Sequence, residues 1–308
     1  MAEADLYTVY KGLLLPTLIH PPQSLTRFET FTFRPEDVVI ATYPKSAGGV
    51  RVHYKSSWLY DRIVFRGYER CSSFKEIVPL IMSGGDPASV ETLHNWDRVP
   101  WLEEARSCSL NLDDRPSPRM FTTHFPPRAM PPSFFEVKPK VIYVMRNPKD
   151  VFTSSFHYCA MASFLVDPGP QNEFLQKFLK GEVMFGSWFD HVKAWLNYKE
   201  PIFYICYEEM VKDLKGSVAR IALFLQKSLD DDVIATIAER CVFKTMKKNN
   251  MSNYSAVPKE IMDPTKSEFL RKGIAGDWKN QLTVAEVEQF DGVYTENMRD
   301  VDFKFAWD

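Results

Sequence analysis

Residues 38–46 are Val38-Val39-Ile40-Ala41-Thr42-Tyr43-Pro44-Lys45-Ser46. A β-branched, apolar run of this length is typical of a buried, parallel strand, which ends at Pro44 because proline cannot donate to a ladder. The strand delivers Lys45, Ser46 and the small residues Ala47-Gly48-Gly49 to its carboxyl end. Backbone N–H groups and an ammonium group in such a loop bind phosphate. For this segment alone, an ordinary strand-to-loop turn is an equally good interpretation.

The composition is that of a globular chain without a strong charge bias. Of 308 residues, 45% are hydrophobic and 14% aromatic, enough for a large core in one α/β domain or two smaller ones. Lysine and arginine number 38 against 40 acidic residues, so net charge favours neither a nucleic acid nor a membrane surface as partner. We therefore expect a small-molecule ligand, with any anion bound by a local cluster of cations.

The cysteines and the apolar runs indicate the compartment. Five cysteines are scattered without a C-x-x-C pair, which favours neither a disulfide framework nor a zinc site and fits the reducing cytosol. No apolar run reaches the roughly 18 residues that span a bilayer, and residues 1–6 do not begin a secretion signal. We expect a cytoplasmic protein that binds no metal and no membrane.

Further segments predict strands of the same sheet. Each of these segments is followed directly by a residue that can bind a ligand. His124 follows Met120–Thr123, Arg146 follows Val141–Met145, and Tyr207 follows Ile202–Cys206. Helical periods lie between and after them. This alternation predicts an α/β fold in which a P-loop-like parallel sheet carries helices on both faces and binds ligands at the carboxyl ends of its strands. We expect residues 1–308 to form a single domain. Met1–Glu36 should be irregular, because Tyr10-Lys11-Gly12 and Pro21-Pro22 break any long period.

Helix boundaries can also be predicted. Phe74–Met82 is a short apolar helix interrupted by Pro79. A second helix begins near Asp150, whose carboxylate favours the positive end of the helix dipole. Thr283-Val284-Ala285-Glu286 is a capping box at the start of the last helix.

Six motifs occur in the order and approximate spacing of the cytosolic sulfotransferases, which the chain resembles from about Leu6 to its C-terminus. They are Tyr43-Pro44-Lys45-Ser46, Thr123-His124, Arg146-Asn147-Pro148-Lys149-Asp150 with Ser154, Tyr207-Glu208-Glu209-Met210, Phe243-Lys244-Thr245-Met246, and Arg271-Lys272-Gly273 with Gly276-Asp277-Trp278-Lys279. The resemblance implies sulfuryl transfer from 3′-phosphoadenosine 5′-phosphosulfate (PAPS) to a hydroxyl of a small apolar acceptor, either steroid-like or phenolic.

The resemblance also implies where PAPS binds. Its 5′-phosphosulfate matches Lys45, Ser46 and the amides of Ala47, Gly48 and Gly49, and the lysine is catalytic because it neutralises charge on the departing phosphate oxygen. The residues that match the 3′-phosphate site are Arg146, Ser154, Arg271, Lys272 and Gly273. Those that match the adenosine site are Tyr207, Phe243 and Cys241, the last standing where the family usually has a small hydroxyl residue.

His124 matches the catalytic base of the family. An imidazole suits this role because a hydroxyl acceptor must lose its proton as it attacks sulfur near neutral pH. A histidine with a purely structural role is the alternative for His124 taken alone. Arg146 alone is explained as well by a helix-start ion pair with Asp150.

The stretch after Ser46 departs from the family. The usual loop enters a helix directly as K-S-G-T-[TN]-W, whereas residues 47–73 here are an insertion rich in basic and aromatic residues. Aligning Phe74-Lys75-Glu76-Ile77 with the family helix places Ser73 where the adenine-stacking tryptophan belongs.

Three interpretations of the insertion remain. It loops out and leaves Ala47-Gly48-Gly49 to supply amides; or Lys55-Ser56-Ser57-Trp58 restores a lysine and a ring; or it is foreign sequence that disrupts the pocket. The insertion has no helical or strand periodicity, which favours the third interpretation, foreign sequence. The alternative function is then a catalytically silent nucleotide- or ligand-binding relative.

The acceptor site and the oligomeric state are predicted from side chains near the motifs. An apolar acceptor pocket is expected from the phenylalanines Phe121, Phe125, Phe134, Phe135, Phe156 and Phe164.

A P-loop kinase would need G-x-x-x-x-G-K-[ST] and a magnesium-binding acid, and neither is visible. The family's dimerisation signature matches Lys279, Thr283, Val284 and Glu288, which implies a homodimer.

Overall fold

The computed structural model describes residues 6–46, 72–252, 257, 260–263, 265–267 and 272–308. The strands β1 to β6 are Tyr7–Tyr10, Leu13–Pro16, Val38–Thr42, Met120–Thr123, Lys140–Met145 and Ile202–Cys206. The helices α1 to α13 are Pro22–Glu29, Ser72–Met82, Ala88–Thr92, Asn95–Arg98, Pro132–Val137, Pro148–Met161, Gln171–Lys180, Trp188–Leu196, Tyr207–Lys212, Leu214–Phe224, Asp231–Arg240, Phe243–Met246 and Val284–Met298. Short 3₁₀ helices cover Ala105–Ser109, Pro127–Ala129 and Asp277–Asn280.

The central sheet is parallel and has the strand order β4-β3-β5-β6. Val38 of β3 lies opposite Met120 of β4 and Lys140 of β5, and Val141 of β5 lies opposite Ile202 of β6. Every residue of β3 is buried, as its β-branched run predicts. The parallel α/β sheet is confirmed, and the residues that follow its strands share one edge.

Alternate residues of the sheet pack into two cores on its opposite faces. Val39 and Ala41 belong to one core, together with Trp188 and Trp195 of α8. Val38 and Ile40 point the other way, because successive side chains in a strand alternate, and they pack against α2, α10 and α11. Both faces of the sheet are therefore covered by helices, as predicted.

The prediction that Met1–Glu36 is irregular is wrong for the part the structure describes. β1 and β2 form an antiparallel hairpin, with Tyr10 opposite Leu13, and α1 follows it. Lys11 and Gly12 both have positive φ, at 48° and 75°, so the residues interpreted as a break are a two-residue hairpin turn. Pro22 likewise starts α1, because proline is tolerated in the first turn of a helix.

The predicted helix boundaries are confirmed. The Asn147 side chain accepts a hydrogen bond from Lys149 N at 3.0 Å and so caps α6, with Asp150 in the first turn. Thr283 and Glu286 form the capping box of α13. Pro79 lies inside α2, which begins at Ser72. No helix in the described ranges is long and apolar enough to cross a bilayer.

A buried ion pair joins the start of β3 to the start of β4. Arg119 Nε and Nη2 donate to the two carboxylate oxygens of Asp37 at 3.0 and 2.6 Å, and both side chains are fully buried. Arg119 Nη2 also donates to the Thr32 carbonyl at 2.8 Å, and the backbone N–H of Arg34 donates to Asp37. The pair thus fixes the segment that leads into the sheet.

Replacing Asp37 with alanine is expected to lower the free energy of unfolding by about 3–5 kcal/mol, because it leaves the Arg119 charge buried without its partner. Asp113→Ala is the matched control, since Asp113 faces the same arginine at 3.6 Å but is 70% exposed. The control should cost less than about 1 kcal/mol. Urea denaturation followed by circular dichroism measures both, and equal losses in the two variants would contradict the prediction.

Candidate active site

The carboxyl ends of the parallel strands meet around the guanidinium of Arg146, the residue after β5. Its Nη1 donates to the Lys45 carbonyl and its Nη2 to the Ile274 carbonyl, each at 3.3 Å. The guanidinium carbon lies 4.7 Å from the centre of the Tyr207 ring, in cation–π geometry. Three residues predicted on separate strand ends, Lys45, Arg146 and Tyr207, are therefore in one place.

Lys45 and Ser46 form a buried cationic turn. Lys45 has φ of 72°, a strained conformation for a residue other than glycine, and its Nζ lies 3.4 Å from the centre of the Tyr158 ring. Within the described part of the chain, Ser46 Oγ and Arg146 Nε are buried without a hydrogen-bond partner. Each such atom costs about 1–3 kcal/mol, which an entering anion would offset by accepting its hydrogen bond. These residues therefore fit an anionic ligand.

Asp150 holds the loop that follows residue 271 against α6. Its carboxylate lies 3.7 Å from Arg146 Nη2 and accepts hydrogen bonds from the backbone N–H groups of Gly276 and Trp278 at 2.7 and 3.0 Å. The ion pair considered as an alternative for Arg146 is thus present together with the contacts to Lys45 and Tyr207. Ser154 lies one turn after Asp150 on α6 and is also buried.

A cavity of about 180 Å³, here called the Phe243 cavity, joins the three predicted adenosine-site residues, Tyr207, Cys241 and Phe243, with Gly273, which was predicted at the 3′-phosphate site. Its lining residues are Ser73, Tyr207, Met210, Val211, Leu214, Cys241, Val242, Phe243, Met246 and Gly273. Burial raises the pKa of the Cys241 thiol, which is therefore neutral. Gly273 has φ of 69°, and a Cβ there would lie 2.1 Å from Phe243 Cδ2, so the ring packs directly on the glycine backbone.

Lys272, another predicted anion-site residue, is not part of this group. Lys272 forms an ion pair with Asp277 at 2.6 Å, and its side chain is 41% exposed. Ala47, Gly48, Gly49 and Arg271 lie outside the described residues, as does most of the predicted insertion. Ser73, its last residue, belongs to α2 and lines the Phe243 cavity.

His124, the first residue after β4, is buried with its ring orientation fixed. Its Nδ1 lies 2.7 Å from the Thr42 carbonyl oxygen. Because a carbonyl can only accept, Nδ1 carries the proton and Nε2 keeps the lone pair. The ring packs at 4.0 Å on Trp101 and at 5.1 Å on the edge of Phe185, measured between ring centres. Burial holds the His124 pKa well below its usual value, so the imidazole is neutral at pH 7.

The sequence prediction missed two residues that hold the backbone of His124. The His124 N–H donates to Glu103 Oε1 at 2.7 Å, and His191 Nε2 donates to the His124 carbonyl at 3.0 Å. The Tyr143 hydroxyl then donates to His191 Nδ1 at 2.9 Å. For Glu103, the available sequence signal is a pair of acids, Glu103-Glu104, directly after an apolar stretch.

A second cavity, of about 370 Å³ and here called the Cys159 cavity, adjoins the turn before Lys45. It is mostly apolar, and its lining residues are Tyr7, Val9, Leu14, Tyr43, Pro44, Ser155, Cys159, Val166, Asp167, Pro168, Phe174, Lys177, Phe178, Glu182, Val183 and Met184. Met184 is followed by Phe185, whose ring contacts His124. The Cys159 cavity therefore adjoins the cationic turn through Tyr43 and Pro44. His124 is not among its lining residues and is connected to it through Phe185.

The cavity is apolar, as predicted, but none of the six phenylalanines from which an apolar pocket was predicted lines it. Phe121, Phe125, Phe134 and Phe164 are buried in the core, and Phe135 is 41% exposed. The core rings instead pack edge to face on other phenylalanines; Phe121, for example, lies 5.2 Å from Phe31 between ring centres.

Comparisons with known proteins agree on one family. The profile described as "Sulfotransferase domain" matches residues 35–302. The chain is 43% identical to sulfotransferase 2B1 of Mus musculus, over 98% of this chain and 83% of that protein. It is 36% identical to the 3-beta-hydroxysteroid sulfotransferase of Cavia porcellus, over 97% of each chain.

Solved structures show the same fold. The crystal structure of mouse sulfotransferase SULT7A1 complexed with PAP superposes with a TM-score of 0.74 at 29% identity, covering 96% of each chain. Retinol dehydratase, in complex with androsterone and the inactive cofactor PAP, has a TM-score of 0.77 at 22% identity and covers 99% of this chain and 93% of that one. By its profile match, its relatives and its fold, the chain belongs to the sulfotransferase family.

Proposed function

We propose that this protein transfers the sulfuryl group of PAPS to a hydroxyl of a small apolar acceptor. The observation that carries the proposal is the contact set of Arg146, which places the cationic turn at Lys45 beside Tyr207 of the Phe243 cavity. Family membership and the PAP complex of the 29% identical mouse protein support it. Transfer of labelled sulfate from PAPS to a panel of steroids and phenols tests it. Binding of PAP without transfer would favour a silent relative instead.

The nucleotide would be held at two anionic groups and at its base. Lys45 and Ser46, in a P-loop-like turn, would bind the 5′-phosphosulfate, with the amides of Ala47, Gly48 and Gly49 as further donors. Arg146 and Ser154 would bind the 3′-phosphate, since a guanidinium grips phosphate oxygens in bidentate fashion. Arg271, Lys272 and Gly273 would close over the same phosphate, and Tyr207, Cys241 and Phe243 would contact the adenosine.

The chain's own residues perform the proton transfer. PAPS supplies the sulfuryl group and leaves as PAP. His124 accepts the proton of the acceptor hydroxyl at Nε2, the nitrogen that keeps its lone pair because Nδ1 donates to Thr42. Lys45 stabilises the negative charge that develops on the departing phosphate oxygen.

The acceptor would occupy the Cys159 cavity. Its apolar walls and its position between the Lys45 turn and Phe185 suit a small apolar alcohol. The guinea pig relative is named as a hydroxysteroid sulfotransferase, which supports a steroid-like acceptor. We also propose a cytoplasmic location, supported by the free thiols of Cys108, Cys206 and Cys241.

Removing the base should reduce turnover much more than nucleotide binding. For His124→Ala we expect kcat to fall roughly 10²–10⁴-fold, because one general base contributes that much, while PAP affinity is unchanged. A sulfate-transfer assay combined with isothermal titration of PAP measures both quantities. Unchanged turnover would remove His124 from the role.

Filling the space at Gly273 should weaken PAP binding. A methyl group there meets the Phe243 ring at 2.1 Å, so the ring must leave its position in the cavity. We expect Gly273→Ala to lower PAP affinity by about tenfold, which corresponds to about 1.4 kcal/mol. Gly84→Ala is the control, since Gly84 has a similar φ of 72° but nothing within 4 Å. Equal PAP affinities of the two variants in isothermal titration would contradict the assignment of this cavity.

We further propose a homodimer formed through Lys279, Thr283, Val284 and Glu288. The proposal is supported by their match to the family's dimerisation signature. All four residues are exposed, and Val284 at the start of α13 is 76% exposed, so they are accessible to a second copy of the chain.

Placing a charge at this surface should separate the subunits. We expect Val284→Glu to shift elution in gel filtration from dimer to monomer, because the carboxylate would be buried unpaired in the interface. Leu223→Glu, at a residue of α10 that is 79% exposed, should elute as the wild type does. A Val284→Glu protein that still elutes as a dimer would count against this interface.

A further inference from the structure

Glu103 is a buried carboxyl group beside the proposed base. Its side chain is fully buried, and Oε1 accepts the backbone N–H of His124 at 2.7 Å. Oε2 is also buried and has no hydrogen-bond partner among the described residues. Burial raises the pKa of Glu103 to about 7. Burying a carboxyl group with an unsatisfied oxygen costs folding free energy, so packing alone does not explain its presence here.

Glu76 is a second buried carboxyl group and provides a comparison for Glu103, because it has a partner of opposite charge. Its pKa is also raised to about 7 by burial, and its carboxylate pairs with the buried guanidinium of Arg98. No ion pair within 4.0 Å involves Glu103 in the part of the chain that the structure describes. The charged and titratable groups that face Glu103 from neighbouring elements are Lys75 of α2, Tyr10 of β1 and His124.

The loop that carries Glu103 is fitted along β4, an edge strand of the sheet. Trp101 pairs with Thr122 as a parallel bridge, and Leu102 N donates to the Thr122 carbonyl at 3.2 Å. His124 follows β4, so its N–H has passed the end of the ladder. Glu103 supplies the acceptor that a neighbouring strand would otherwise provide.

The same loop also fixes the imidazole. Trp101, two residues before Glu103, stacks on the His124 ring at 4.0 Å, and the ring's Nδ1 rests on the Thr42 carbonyl of β3. His191 holds the carbonyl of His124 from the other side. Both the backbone and the ring of His124 are thus fixed by hydrogen bonds. Glu103 contributes the hydrogen bond to the backbone N–H of His124.

We propose that Glu103 is a positioning residue for sulfuryl transfer, which sets the backbone of His124 so that Nδ1 stays on Thr42 and Nε2 is presented to the acceptor hydroxyl. The inference rests on the proposed role of His124 as base. If the proposal is correct, the decisive property of Glu103 is the distance to which its side chain carries the oxygen, here called its reach, and not its charge. A neutral amide oxygen accepts the same hydrogen bond.

Two substitutions separate reach from charge. Glu103→Gln keeps the length and the acceptor but removes the charge, whereas Glu103→Asp keeps the charge but shortens the side chain by one methylene. We expect kcat to fall about 10–100-fold in Glu103→Asp, since a misplacement of about 1 Å costs up to about 10²-fold, with PAP affinity unchanged. Glu103→Gln should stay within about threefold of the wild type. Glu76→Asp is the control and should lower the melting temperature without changing kcat.

Long-range ¹H–¹⁵N spectra of the histidine rings give a readout that does not depend on activity. The Nδ1–H form of His124 should persist in Glu103→Gln and give way to a mixture of tautomers in Glu103→Asp. A wild-type protein that shows this form but transfers no sulfate would overturn the proposed function, and with it any role of Glu103 in transfer, whereas the effect of Glu103 on the His124 tautomer would still be supported.

The opposite pattern would overturn the inference. If Glu103→Gln is impaired and Glu103→Asp is active, the charge of Glu103 matters rather than its length. If the two variants have equal turnover, whether high or low, the length of the side chain is not the decisive property. If Glu103→Asp does not fold, Glu103→Gln still decides: more than a tenfold loss of kcat overturns the proposal, and retained kcat with the Nδ1–H form supports it.

Discussion

The guanidinium of Arg146 joins segments that are far apart in the sequence. It donates to the carbonyls of Lys45 and Ile274 and lies over the ring of Tyr207. A planar group with donors in a fixed fork can serve several partners at once, and a flexible lysine could not replace it. The position of the cationic turn relative to the Phe243 cavity depends on this one side chain.

A second constraint acts on the proposed base. The backbone of His124 is fixed by Glu103 and His191, and its ring by Thr42 and Trp101. Burial favours the neutral imidazole, and the Thr42 carbonyl selects its tautomer. In the proposed function, His124 would therefore be ready to accept a proton before an acceptor binds, which would reduce the reorganisation that the reaction requires.

Much of this arrangement could be predicted because its signals are local. Val38–Thr42 is a β-branched run that ends at a proline, and Thr283 and Glu286 cap the last helix within four residues of each other. The residues that line the Phe243 cavity come from distant segments. The resemblance of ordered motifs singled out four of them as site residues, Tyr207, Cys241, Phe243 and Gly273, where spacing alone could not.

The errors have physical causes. Lys11 and Gly12 interrupt any long period in the sequence, yet their positive φ angles form a hairpin turn that lets β2 pair with β1. The phenylalanine cluster shows that apolar composition does not distinguish a ring in the core from a ring at a cavity, because both bury the same area. Glu103 was missed since its purpose depends on a loop pairing with β4, a long-range contact without a periodic signature.

The two cavities draw on the two different cores of the sheet. Cys159, Phe174 and Phe178 belong to one core, while Met210, Cys241 and Met246 belong to the other. In the proposed function this division assigns the alcohol and the nucleotide to different cores, so a substitution in the wall of one cavity would leave the side chains that pack around the other unchanged.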